Sequence, residues 1–113
     1  MKVLQHRADY LRTAQGRRQG TAGFLVQARP RDDGSDALRV GFTASKKIGN
    51  AVMRNRAKRR LRALAREILV PGGMAGWDYV LVARPDATVS RGFDELRADL
   101  RSALARLHQA RPA

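Results

Sequence analysis

The sequence predicts an α+β fold, one sheet packed by helices on one of its faces. Stretches of period two at residues 24–29 and 38–43, and a short apolar run centred within residues 77–84, read as strands. Stretches of helical period run through residues 51–69 and again beyond residue 90. The 113 residues, 43% of them hydrophobic, suffice for one domain with a modest core. With so few strands, a single sheet backed by helices is the economical way to bury them.

The first element is a short helix over residues 8–14, with Tyr10, Leu11 and Ala14 on one side. It ends in a polar, glycine-punctuated stretch from Gln15 to Gly20, which breaks helices. Phe24, Val26 and Ala28 then alternate with Leu25, Gln27 and Arg29, and Leu38, Val40 and Phe42 with Arg39, Gly41 and Thr43. The loop Pro30 to Ser35 between them suggests an antiparallel hairpin with one buried face. The opposite face is unusually polar and small, and is left open to solvent or a ligand. Met53, Ala57, Leu61, Leu64, Ala65 and Ile68 fall within an arc of ~120° on a helix that Pro71-Gly72-Gly73 stops. A third strand at residues 77–84 centres on Val80, Leu81 and Val82, and Pro85 ends it. Ser90 is placed to cap a last helix, with Asp94 and Glu95 in its first turn and an apolar side of Phe93, Leu96, Leu100, Ala103, Leu104 and Leu107. No repeat or linker divides the chain, so residues 1–113 read as a single domain with a frayed tail from about Gln109.

Composition narrows the function. Twenty-three Lys and Arg against ten Asp and Glu give a formal charge of +13, the balance of a polyanion binder. The absence of cysteine excludes disulfides, cysteine nucleophiles and thiolate metal sites. His6 and His108 stand at opposite ends and form no local metal motif. Apolar runs are only a few residues long, so neither a membrane span nor a signal segment is expected, and the reading is cytoplasmic.

The charge concentrates on the central helix and its lead-in, where Lys46, Lys47, Arg54, Arg56, Lys58, Arg59, Arg60, Arg62 and Arg66 face a single acid, Glu67. Asn55, Arg59, Arg62 and Arg66 follow i, i+4, i+7, i+11 spacing and line up opposite the apolar stripe. Like charges at this spacing repel by a few tenths of a kcal/mol per pair, roughly, and cations in a first helical turn oppose the dipole. A solvated helix selected for stability mixes signs. The anions are therefore expected from another molecule, and the planar guanidinium fork suits phosphate. A DNA-reading helix fits less well, because no helix-turn-helix pair accompanies this one and strands flank it.

The stretch from Leu38 to Arg62, LRVGFTASKKIGNAVMRNRAKRRLR, resembles the signature of the protein subunit of bacterial ribonuclease P, the ribonucleoprotein that removes the 5′ leader from precursor tRNA. The run Ser45 to Val52, then Arg54-Asn55-Arg56 and Lys58-Arg59, carries the match; length, element order and charge agree from about Arg7 to about Leu107. The resemblance implies a ribosomal protein S5 domain 2-like fold, with about four strands, a short one near residues 17–23 among them, and a left-handed crossover through the basic helix. It implies that Arg54, Asn55, Arg56, Lys58, Arg59 and Arg62 meet the catalytic RNA subunit. Arg66, Lys46 and Lys47, cations of the same cluster, are expected to join them, the two lysines facing either that RNA or the leader. It implies a sheet-face cleft for the single-stranded leader, formed by Tyr10, Leu25, Gln27, Arg39 and Thr43. Ala14 and Gln27 stand where many relatives carry aromatics, which shifts this cleft from stacking toward charge.

No side chain reads as catalytic. Asp32, Asp33 and Asp36 lie in a turn-rich loop and read as solubilising residues, while Asp78 and Asp86 flank the third strand without spaced partners. A nucleophile–base pair and a Gly-rich phosphate loop are both missing. The resemblance supplies the reason, since there the RNA performs the chemistry with Mg²⁺ that it mainly binds itself. The expected partners are the RNA subunit and precursor tRNA, with one protein monomer per RNA and no membrane. The rival class is a stand-alone RNA-binding or ribosome-associated protein of the same fold.

Overall fold

Residues 1–109 are described by a computed structural model. In chain order the elements are β1 (Lys2–Val3), α1 (Arg7–Ala14), β2 (Arg17–Gly20), β3 (Phe24–Pro30), β4 (Arg39–Thr43), a 3₁₀ turn (Lys46–Ile48) and α2 (Ala51–Leu64). The α2 helix runs on through a π-helical turn (Ala65–Leu69) into α3 (Val70–Gly72), before β5 (Trp77–Ala83), α4 (Ala87–Ser90) and α5 (Phe93–Leu107). Of the tail expected to fray from about Gln109, the residues after 109 lie outside the described residues.

The strands form one mixed sheet in the order β1-β4-β5-β3-β2. The expected hairpin of β3 with β4 is not formed, because β5 lies between them, antiparallel to β3 and parallel to β4. Tyr79 to Leu81 are buried, so this strand needs cover on both faces and a neighbour on each edge. The loop of residues 31–38 is long enough to step across it. The short strand that the resemblance implies near residues 17–23 is β2; β1, two residues long and without a periodic signal, makes a fifth.

Alternation sorts the two faces. Phe24, Val26 and Ala28 share one face with Val40 and Phe42 and with Tyr79, Leu81 and Ala83, and on it α2 and α5 lay Ala57, Leu61, Leu64, Leu96, Leu100 and Leu104. At about 25 cal/mol per Å² of apolar surface, this single layer is the main source of folding energy. Ser90 does not cap α5. Its hydroxyl donates to the Asp86 carbonyl within α4 (2.7 Å), and Gly92 precedes α5 instead.

Helices do not keep to one face. The α1 helix crosses the second face, and its expected inner side is displaced: Asp9 and Thr13 are buried, whereas Leu11 is 52% exposed. The reason lies in the sheet, which offers arginines and a carboxylate there, so α1 docks through its own polar groups.

A candidate nucleic-acid interface

Two surfaces correspond to the two expected contact regions. The first is α2. Asn50 opens it by accepting the Met53 amide on Oδ1 (3.0 Å), and the preceding 3₁₀ turn closes at Gly49, whose φ of 137° suits glycine. The inner stripe Ala57, Leu61 and Leu64 is buried, which fixes the helix's rotation. Asn55, Arg56, Arg59, Arg62 and Arg66 consequently face solvent, Arg54 and Lys58 are half-buried at the margins, and Lys46 and Lys47 are exposed just before the helix. Among the described residues, no carboxylate lies within 4 Å of any of these eight cations. Arg62 leans over the Phe42 ring, 5.6 Å from its centroid, which orders the guanidinium without neutralising it.

Arg60 behaves differently. It turns inward, donating to the carbonyls of Val89 and Arg91 and stacking 5.7 Å from the centroid of Phe93. This one cation of the basic cluster clips α2 to the α4–α5 connection.

The second surface is the other face of the sheet, which registers into three rows. Thr43, Val82 and Leu25 form the first, continued by Gly20. Gly41, Val80 and Gln27 form the second, and Arg39, Asp78 and Arg29 the third. The α1 helix lies over the second and third rows. Tyr10 packs its ring edge over Gly41, where a Cβ would come within 2.5 Å of the ring, and donates its hydroxyl to the Leu4 carbonyl (3.3 Å). The first row stays half-exposed, an open strip beside α1 with Leu25 and Val82 as its aliphatic part. Arg84, beyond the end of β5, passes over Gly20 at its rim.

Tyr10, Leu25, Gln27 and Thr43 thus gather on one face as expected, and Arg39 shares it but is already engaged. Its guanidinium forks onto Asp78, Nε to Oδ1 at 2.8 Å and Nη2 to Oδ2 at 2.7 Å. Asp78, expected at a strand end without a partner, sits within β5 with its side chain fully buried. It also receives Arg31 (2.9 Å) and Arg29 (3.4 Å). Burial pushes the Asp78 carboxyl up, but the hydrogen bonds from Arg39 and Arg31 outweigh it and hold the group below its ordinary value. Asp9 of α1 adds a second carboxylate, beside Arg12, Arg39 and Arg29. Val82 and this network escape sequence reasoning, because both depend on which strand lies beside which.

The acids do not fit a Mg²⁺ site. Asp78 and Asp9 are filled by guanidinium groups, Asp33 is held by the Ser35 amide and Arg31, and no three potential ligands gather among the described residues. No described helix is long and apolar enough to cross a membrane.

The family model for ribonuclease P matches residues 1–108. The chain belongs to the ribonuclease P protein family. The ribonuclease P protein component of Ruegeria pomeroyi is 57% identical over 99% of this chain and 90% of its own length. That of Paramagnetospirillum magneticum is 46% identical over 92% and 80%. Among solved structures, the ribonuclease P protein of Thermotoga maritima superposes with a TM-score of 0.76 at 27% identity, covering 94% of this chain and 97% of its own. The Staphylococcus aureus protein gives 0.76 at 24% identity over 96% of each chain, a likeness of fold. The family's role is RNA binding within ribonuclease P, in 5′ processing of tRNA, so the partners are the ribonuclease P RNA and precursor tRNA.

Proposed function

We propose that the two surfaces divide the work of a ribonuclease P protein. The exposed flank of α2, with Lys46 and Lys47, docks on the RNA subunit, and the cleft between α1 and the first row of the sheet receives the 5′ leader. The observation that carries this reading is the set of eight cations on and before α2 without a carboxylate near them among the described residues, in a chain that pairs arginines with acids elsewhere. Phosphates complete that surface and release counterions on doing so. Hydrolysis of the phosphodiester belongs to the RNA and its Mg²⁺. The protein contributes charge that lets RNA segments approach one another, and a groove that holds the leader in one direction.

Within the groove Tyr10 offers the aromatic edge, Leu25 and Thr43 the floor and Gln27 a hydrogen-bonding amide, while Arg39 acts from behind through Asp78 and Asp9. One protein per RNA, in the cytoplasm, is the expected assembly. Reconstitution tests the reading: purified protein is mixed with a bacterial ribonuclease P RNA at low Mg²⁺ and cleavage of precursor tRNA is followed. Stimulation over RNA alone is expected. No stimulation would favour a stand-alone RNA-binding protein, and cleavage without added RNA would overturn the assignment of chemistry to the RNA.

A further inference from the structure

The α1 helix has little apolar grip on the sheet. It is eight residues long, too short to be stable alone, and its largest aliphatic side chain, Leu11, is 52% exposed. Two contacts come from Tyr10, to Gly41 and to the Leu4 carbonyl, and Thr13 is buried with its hydroxyl on the Asp9 carbonyl (2.7 Å). The remaining hold is electrostatic. Asp9 Oδ1 lies 3.5 Å from Arg39 and 3.7 Å from Arg29, with only 11% of its side chain exposed. Both guanidinium groups are fixed beforehand by the buried Asp78, so Asp9 meets a preformed pair of cations on a rigid strand layer.

We propose that Asp9 is a positioning residue, whose bridge to Arg29 and Arg39 sets how far α1 stands from the sheet and so fixes the width of the leader cleft. The inference rests on the cleft reading given above. Its sign follows from the neighbours of Asp9. Arg12, on the same helix, shares the same carboxylate oxygen at 3.3 Å. Neutralising Asp9 removes the carboxylate that the three guanidinium groups share. Asp78 still holds Arg29 and Arg39, and Arg12, 61% exposed, turns to solvent, so the attraction between α1 and the sheet is lost. The helix then rides outward, carrying Tyr10 off Gly41 and opening the groove. The α2 flank lies on the other side of the sheet and is untouched.

The experiment uses full-length protein assembled with the RNA subunit. Affinity is measured for precursor tRNA with a long leader and for the same tRNA with a single-nucleotide leader, alongside protein affinity for the RNA subunit. Asp9→Asn keeps the shape and removes the charge. The expected result is a loss of about tenfold in the leader-dependent gain, with RNA-subunit affinity unchanged. Asp9→Glu, which keeps the charge on a longer arm, restores most of the gain, and carries the test if Asp9→Asn does not fold. An unchanged gain in Asp9→Asn, an equal loss in both affinities, or a failure of Asp9→Glu to restore the gain would overturn the positioning role alone. A wild-type holoenzyme without any leader-dependent gain would overturn the cleft reading, and this inference with it.

Discussion

Arginine is used in opposite ways on the sheet and on α2. On the sheet, Arg29, Arg31 and Arg39 converge on Asp78, whose side chain is inaccessible to solvent, and the group is closed. On α2 and the π-helical turn that continues it, Arg56, Arg59, Arg62 and Arg66 spread along a solvent-facing flank, and the group is open. The same side chain therefore holds the domain together in one place and awaits a partner in the other. What separates the two is a buried carboxylate at the right register, since Asp78 stands opposite Arg39 on one neighbour and Arg29 on the other. Paired buried charges are costly to break, whereas unpaired exposed ones cost little to remove.

The sharpest way to break this contrast is Asp78→Asn, which removes the buried carboxylate shared by Arg29, Arg31 and Arg39 and is expected to cost about 3–5 kcal/mol in denaturant unfolding. The matching subtraction on α2, Arg59→Ala, should stay within about 0.5 kcal/mol. Equal losses would erase the distinction. Salt separates the regions next. If about six phosphates are neutralised, log affinity for the RNA subunit falls against log salt with a slope of roughly −4 to −5, about a thousandfold between 50 and 200 mM. Fold stability should hardly move over that range, because the network is shielded from the ions. A flat binding curve would count against the open flank. A smaller effect is expected from Asn55→Ala combined with Arg59→Ala: about tenfold weaker RNA binding, a salt slope shallower by about one, and an unchanged circular dichroism spectrum.

Acid titration gives the smallest and most selective signal. Asp78 is held below its ordinary 3.8, so its contribution is complete above that pH and is lost as pH falls through the lower, folded value. Thermal melts of wild type should therefore lose stability below about pH 4. Asp78→Asn should show a shallower acid limb, and an identical limb would remove Asp78 from the account.

Much of this was legible in the sequence, and what was not has a common cause. The α2 stripe and its cationic flank follow from the period of a single helix, so Asn55, Arg59, Arg62 and Arg66 are exposed as their spacing requires. The positions of β3 and β4 follow from alternation and that of β5 from its apolar centre, each to within a residue or two; β1 has no such signal, and β2 comes only from the family resemblance. Strand neighbours are another matter. Nothing local to residues 24–43 says that β5 will intervene, so Asp78 looks partnerless and Arg39 looks free. The docking side of α1 fails for the same reason, since its polar face is buried only because a polar sheet face lies beneath it.

The strand order bears on how the chain assembles. Before residue 83 is available, only β2 with β3 and β1 with β4 can pair, and these halves share no hydrogen-bonded edge. The keystone strand arrives after α2 in the chain, so a nascent polypeptide displays its cationic helix before the sheet that should support it is closed. Folding then depends on contacts distant along the backbone, a topology associated with slow closure. A polyanion that reached such a chain early would meet the helix in advance of the groove.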